Sequence, residues 1–159
     1  MNGLQSFRDG LFYVQDISSM LVAQTAAPKK GDYVIDVCAA PGGKSTHIAE
    51  LLQGSGHVLA RDLTDNKVDM IEENIERHGL NNMSAEVWDA TVPDADSAGK
   101  ADILICDLPC SGLGVLGRKK DIRYKMTPES VDELAALQRQ ILDTVHTYVK
   151  PNGVLVYST

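Results

Sequence analysis

Apolar positions along this chain fall into two patterns, short continuous runs and stretches that repeat at helical spacing, and the two alternate. Residues 1 to 13 are poorly patterned. Asp16 can cap a helix through Ala27 with Ile17, Met20, Leu21 and Ala23 as apolar positions, stopped by Pro28. Residues 1–28 therefore read as a helical lead-in, and Lys29-Lys-Gly31 as a turn. Tyr33 to Cys38 reads as a buried strand, and Lys44 to Gln53 as a helix ended by Gly54. His57 to Arg61 is a second strand ending in Asp62. Thr64 or Asp65 caps the next helix, with Val68, Ile71 and Ile75 at helical spacing and Gly79 at its C-terminal cap. Ser84 to Trp88 is a third strand, and Thr91 to Lys100 a loop rich in Pro, Asp, Ser and Gly.

Asp102 to Asp107 is a fourth strand, followed by the turn Leu108-Pro-Cys-Ser-Gly112. Thr127-Pro128 starts a long helix with a capping hydroxyl and then proline at the first helical position. Leu134, Leu137, Ile141, Val145 and Tyr148 form its apolar stripe. Lys150-Pro-Asn-Gly153 ends it, and Val154 to Tyr157 begins a fifth strand. Strands that are apolar throughout and alternate with helices predict an α/β fold, a mostly parallel sheet with helices on both faces, in a single domain over residues 1–159. Ligands of such sheets bind beyond the carboxyl ends of the strands. Asp62, Asp89 and Asp107 all fall at or just past predicted strand ends, and so does the loop Cys38-Ala39-Ala40-Pro41-Gly42-Gly43-Lys44.

At 159 residues, 43% hydrophobic and 23% charged, the composition is that of an ordinary globular chain. No apolar run approaches the roughly 20 residues needed to span a bilayer, so no membrane contact is expected. Three cysteines, a small and odd number, point to a reducing compartment, and the expected location is the cytoplasm. The net charge of −7 argues against a general nucleic-acid coat. Yet between Gly117 and Lys125, Arg118, Lys119, Lys120, Arg123 and Lys125 place five of the 15 basic residues in nine positions. Charge alone divides that segment between a solvated loop and a local phosphate-contacting patch.

The small-residue loop before a helix suggests an anion cradle, because bare N–H groups and the helix dipole converge there. Gly43-Lys44-Ser45 matches the end of a P-loop, but that motif needs glycine where Cys38 stands, and the dinucleotide Gly-x-Gly-x-x-Gly pattern is absent. An adenosine-type ligand without phosphates remains. Asp62, 19 residues past Gly43 and closing the second strand, is placed to accept hydrogen bonds from ribose hydroxyls. A Cys106/Cys110 metal pair has no partners, so no metal is expected.

Cys38-Ala-Ala-Pro-Gly-Gly-Lys44 and Asp107-Leu-Pro-Cys-Ser-Gly112 resemble the two signature motifs of S-adenosylmethionine-dependent RNA cytosine-5 methyltransferases, of the Sun/Fmu family of bacterial 16S ribosomal RNA enzymes. The similarity runs from about Phe12 to Thr159 and includes Val14-Gln-Asp16, Gly114-Val-Leu-Gly-Arg118, Asp121-Ile122 and the Leu137-Gln-x-x-Ile-Leu142 helix. The resemblance implies a Rossmann-like methyltransferase core that binds S-adenosyl-L-methionine. Cys38 to Lys44 would wrap its methionine part, Asp62 would take the ribose, Asp89 would lie near the adenine, and Asp107 would border both cofactor and target base. Trp88 either covers the adenine or belongs to the core.

Cytosine C5 is too weak a nucleophile to take a methyl group unaided. A thiolate adding to C6 makes C5 enamine-like, and loss of the C5 proton with elimination of the thiolate then frees the enzyme. The base must be flipped out or single-stranded. Of three cysteines, Cys110 in the Pro-Cys turn is the exposed candidate. In the RNA enzymes that the chain resembles, its counterpart assists product release and a Thr-Cys-Ser motif after the fifth strand supplies the attacking thiol, whereas DNA cytosine methyltransferases attack with the Pro-Cys thiol. The chain ends Tyr157-Ser158-Thr159, so the expectation is a core truncated after the fifth strand that binds cofactor without turnover and can self-associate through the exposed strand edge at residues 154 to 158. The resemblance assigns Arg118, Lys119, Lys120 and Arg123 to the RNA, although Gly117 and Lys120 depart from the family pattern, which usually has Arg and often Pro there. A non-catalytic cofactor-binding or RNA-binding module, or a methyltransferase of this fold acting on tRNA or another RNA, is the alternative.

Overall fold

The structure is a computed structural model that describes residues 3–115, 117, 124 and 126–159. Its centre is a five-stranded sheet of β1 (Tyr33–Asp36), β2 (His57–Asp62), β3 (Met83–Val87), β4 (Ala101–Asp107) and β5 (Val149–Ser158). The strand order is β3-β2-β1-β4-β5, and every neighbouring pair is parallel. Parallel strands cannot be joined by tight hairpins, so the β1–β2, β2–β3 and β4–β5 connections cross the faces as helices, while β3 reaches β4 through the irregular segment 88–100. Helices α2 (Ile17–Ala26), α3 (Gly43–Leu51) and α4 (Asp65–His78) cover one face, where Ala23, Ile48, Leu52 and Ile71 pack on Val34, Val58, Ile103 and Ile105. On the other face α5 (Pro128–Val145) sets Ile141 and Val145, with Tyr148 just beyond, against Ile35, Val37, Leu104 and Cys106.

The predicted elements form, with instructive shifts at their ends. Thr127 caps α5 as expected: its hydroxyl accepts from the Ser130 amide at 3.2 Å, and the Ser130 hydroxyl accepts from the Thr127 amide at 2.9 Å, a reciprocal box. In the lead-in, Gln5–Arg8 makes a one-turn helix, α1, where no pattern was legible. Helix α2 forms but turns a different face inward. Val22, Ala23 and Ala26 are buried, while Ile17, Met20 and Leu21 are exposed, because the close approach of α2 to the sheet admits its small residues. The fifth strand starts five residues earlier than expected. Between the pairings Ala101↔Val149 and Ile103↔Val154 the chain advances five residues in β5 and two in β4, so Lys150–Gly153 bulges out. The bulge is pinned by Lys150 Nζ on Asp102 Oδ1 at 2.5 Å, while Asp102 Oδ2 accepts from the Tyr33 amide at 2.9 Å.

A buried clasp on the α5 side also escaped the sequence. Arg61, only 5% exposed, donates to Glu86 at 2.6 Å, to Asp94 at 2.7 Å and to Ser97 at 3.1 Å, and its guanidinium lies 5.0 Å from the centre of the Trp88 ring. The Asp94 amide donates to the Tyr148 hydroxyl at 2.9 Å, which anchors the irregular 88–100 segment across the sheet. No described helix is long and apolar enough to cross a membrane.

The cross-strand pair Leu104–Leu155 separates core from edge: Leu104 is 0% exposed and Leu155 is 37% exposed. Leu104→Ala should cost about 2–5 kcal/mol, and Leu155→Ala about 1 kcal/mol or less. Urea unfolding in dilute solution checks both. Equal losses would show that β5 is covered rather than an edge.

Candidate functional site

Strand order reverses between β1 and β4. The chain leaves β1 toward β2 and β3 on one side, then returns to lay β4 against β1 on the other. The loops after these two strands must therefore diverge, opening a crevice at their carboxyl ends. Both sequence motifs converge on it: Cys38–Lys44 follows β1, and Asp107–Gly112 closes β4 and continues past it.

Three strands end on aspartates at this edge, Asp36 on β1, Asp62 on β2 and Asp107 on β4. The loop after β1 is fastened to β2 by two bonds, the Ala39 amide to the Arg61 carbonyl at 2.8 Å and the Ala40 amide to Asp62 Oδ2 at 2.9 Å. Gly42 adopts φ 105°, where a side chain would be strained, and its carbonyl accepts the first helical bond, from the Thr46 amide at 2.8 Å. Helix α3 then begins with its amino end at the crevice. A Cβ on Gly43 would meet no atom within 4 Å, so this backbone faces open space.

Asp62 is 4% exposed. Besides Ala40, its carboxylate accepts from the Leu63 amide at 2.8 Å and from Lys67 Nζ at 2.8 Å. One lone pair of Oδ2 is left over, enough for one hydroxyl donor. Lys44 forms an ion pair with Asp107 Oδ2, and Asp107 Oδ1 accepts from the Ser158 hydroxyl at 2.7 Å, which joins α3, β4 and β5 at a single carboxylate. Asp89 is exposed. Both the amide and the hydroxyl of Thr91 bind its Oδ1, at 2.8 and 2.7 Å, and hold its carboxyl below the usual range. Trp88 is half-buried beside it. The Trp88 amide donates to the Asp62 carbonyl at 2.9 Å, which brings this segment to the end of β2, and the indole N–H donates to Val92 O at 3.0 Å.

Two groups here were not among the residues expected at the site. Asp36 is 1% exposed, accepts from the Ser45 hydroxyl at 2.5 Å through Oδ2, and leaves Oδ1 without a partner. Burial pushes its carboxyl up to about 6, against the lowering effect of Ser45. The signal was present in the sequence as one acid inside an otherwise apolar strand. Gln15 lines a cleft of about 170 Å³ together with Ala39, Ala40, Pro41, Gly43 and Lys44, and buries both polar atoms of its carboxamide without a hydrogen-bond partner. Buried unpaired amides of this kind are rare and mark places where a further polar group is needed.

The three thiols differ sharply. Burial, with the Asp36 and Asp62 carboxylates beside it, pushes the Cys38 thiol up to about 12. Burial does the same to Cys106, also to about 12. Cys110 alone is exposed, on the turn after β4. That turn is held by Gln138 of α5, whose Nε2 donates to Pro109 O at 2.7 Å. The basic residues Arg118, Lys119, Lys120 and Arg123 lie outside the described residues. Among the described residues no three His, Cys, Asp or Glu gather as a metal site.

The residues present fit S-adenosylmethionine. A helix amino end and open glycine backbone suit a carboxylate, three carboxylates suit a sulfonium cation, and an unpaired carboxamide lines the adjoining cleft. Comparison with known proteins gives the same answer. A family model described as 16S rRNA methyltransferase RsmB/F matches residues 23–159. A probable ribosomal RNA small subunit methyltransferase B of Bacillus subtilis is 44% identical over 158 residues, covering 99% of this chain and 35% of the relative. A tRNA (cytosine(72)-C(5))-methyltransferase of Pyrococcus horikoshii is 39% identical over 160 residues, covering 100% of this chain and 40% of the relative. The crystal structure of NSun6 from Pyrococcus horikoshii with SFG superposes with a TM-score of 0.87 at 36% identity, over 99% of this chain and 40% of that one. The chain thus spans 35% to 40% of the lengths of these relatives. With the Rossmann-like sheet, the two motifs at its switch point and the match over residues 23–159, the chain belongs to the 16S rRNA methyltransferase RsmB/F family.

Proposed function

We propose that this chain is the S-adenosylmethionine-binding core of an RNA cytosine-C5 methyltransferase that acts on 16S ribosomal RNA in the cytoplasm. The observation that carries the reading is the crevice between β1 and β4, where three strand-end carboxylates and the amino end of α3 stand beside the one exposed thiol. The RsmB/F match favours ribosomal RNA. The 39% identity to a tRNA (cytosine(72)-C(5))-methyltransferase supports tRNA as the second reading.

Bound in the crevice, S-adenosylmethionine supplies an electrophilic methyl group on a positively charged sulfur. The Cys38–Lys44 loop and the α3 amino end take its carboxylate, the spare lone pair of Asp62 takes a ribose hydroxyl, and Asp89 lies on the adenine side. Asp107, kept in place by Lys44 and Ser158, borders the sulfonium and the target base. The base reaches this depth only as a flipped or single-stranded cytosine. Cys38 and Cys106 stay protonated near neutral pH, which leaves Cys110 as the thiol of this chain that can act on the cytosine. Its place on the turn suits assistance in product release, with attack on C6 made by a thiol following Thr159. Arg118, Lys119, Lys120 and Arg123 contact the RNA backbone. Residues 1–159 form one domain, with 1–28 as its helical lead-in, and the open edge of β5 pairs with a second copy in concentrated solution.

Three outcomes are expected. The chain of residues 1–159 should bind S-adenosylmethionine by calorimetry yet show no multiple turnover with labelled cofactor and unmethylated 16S RNA; repeated turnover would contradict the assignment of Cys110. Light scattering at increasing concentration should show dimers, reduced by replacing Leu155 with Lys, whereas a monomeric mass throughout would remove the edge-pairing claim. In the full-length protein, replacing Arg118 and Arg123 together by Ala should flatten the salt dependence of RNA binding by a log–log slope of about 1–2. Cofactor affinity should not change, and an unaltered slope would place these side chains off the RNA.

A further inference from the structure

Gln138 lies on α5, outside both signature motifs, and its carboxamide joins the Pro-Cys turn to the end of β5. Nε2 donates to Pro109 O at 2.7 Å and to Thr159 Oγ1 at 3.0 Å, and Oε1 accepts from the Tyr157 hydroxyl at 2.8 Å. The orientation is unambiguous, because Pro109 O can only accept and so must face the NH₂ group. Packing of α5 onto the sheet is the task of its neighbours Leu137, Ile141 and Val145, while Gln138 itself is only half-buried.

The consequence for Cys110 follows from peptide geometry. The carbonyl of Pro109 lies in the same rigid plane as the amide nitrogen and Cα of Cys110. A hydrogen bond that fixes this oxygen fixes the plane from which the cysteine side chain departs. On the other side the turn is tied by the Leu108 amide to the Ser158 carbonyl at 3.0 Å, so the Pro-Cys turn and the end of β5 are held at one separation by a strand bond and a side-chain bridge. The bridge needs a donor aimed at Pro109 O and an acceptor for the Tyr157 hydroxyl; a carboxylate would set two acceptors face to face at Pro109.

We propose that Gln138 is a positioning residue that aims the Cys110 thiol at the substrate and sets its distance from the last residues of β5. The catalytic part of this claim rests on the assignment of Cys110 to product release. The test uses the full-length protein with Gln138→Met, which keeps length and loses all three bonds, and Gln138→Glu. Iodoacetamide labelling of Cys110, followed by peptide mass spectrometry across pH, should change in rate by about threefold or more in Gln138→Met, and kcat should fall by about tenfold with KM for RNA little changed. S-adenosylmethionine affinity should stay within about twofold of the parent protein. Gln138→Glu should behave like Gln138→Met at high pH and regain parent labelling and turnover as the pH falls, because the protonated acid can again donate to Pro109 O. Unchanged Cys110 labelling in both variants would overturn the proposal, and so would a parallel loss of cofactor affinity, which would mark Gln138 as merely structural. Cys110→Ser judges the underlying assignment separately: failure to accumulate an RNA–protein adduct would remove Cys110 from product release, while the labelling result would still decide whether Gln138 orients it.

Discussion

The ion pair between Lys44 and Asp107 bridges the two halves of the sheet at the point where strand order reverses. Lys44 stands in the first turn of α3, and Asp107 closes β4. Without a link between them, the loops after β1 and β4 would share only a crevice. The rest of the site is arranged around this link. Ser158 brings in β5 through the second oxygen of Asp107, Ser45 ties the next position of α3 to buried Asp36, and Asp62 fastens the Cys38–Lys44 loop to β2.

The electrostatic consequence is a pocket unlike a phosphate cradle. The glycine-rich loop and the helix amino end are shared with nucleotide-binding folds, but the strand ends around them carry carboxylates. Lys44, the residue that would face phosphates, is occupied by Asp107. A polyphosphate would meet repulsion here, whereas a zwitterion bearing a carboxylate at one end and a sulfonium nearby meets complementary charge at both. Asp62 spends all but one of its lone pairs on internal bonds and Asp107 is held through both oxygens, which fixes the two carboxylates and still leaves each able to accept from a ligand.

The sequence made the sheet legible because its central strands, buried on both faces, are largely apolar, and the part-buried edge strands β3 and β5 still carry short apolar runs between turn and helix signals. It also exposed both motifs, since glycine and proline punctuation is local. What escaped depends on distance in space. Asp36 was visible as an acid in an apolar run, yet only the fold shows Ser45 against it. Arg61 read as a strand residue, and its clasp uses Glu86, Asp94, Ser97 and Trp88, which no local pattern connects. Helix α2 was found, but of its four expected apolar positions only Ala23 is buried, with Val22 and Ala26 beside it, while Ile17, Met20 and Leu21 face outward. Gln138 stood within the Leu137-Gln-x-x-Ile-Leu142 stretch of the resemblance, but only the fold shows Pro109, Tyr157 and Thr159 against it. The basic segment at 118–123 lies outside the described residues, and its charge pattern remains the reason for assigning it to RNA.

The central claim is that the crevice between β1 and β4 selects a cationic methyl donor over a polyphosphate. Calorimetric titration of the full-length protein with S-adenosylmethionine, repeated in the presence of excess ATP and magnesium, tests it most directly. Saturable binding of S-adenosylmethionine that ATP does not displace is the predicted result. Displacement by ATP, or tighter binding of ATP than of S-adenosylmethionine, would contradict the account.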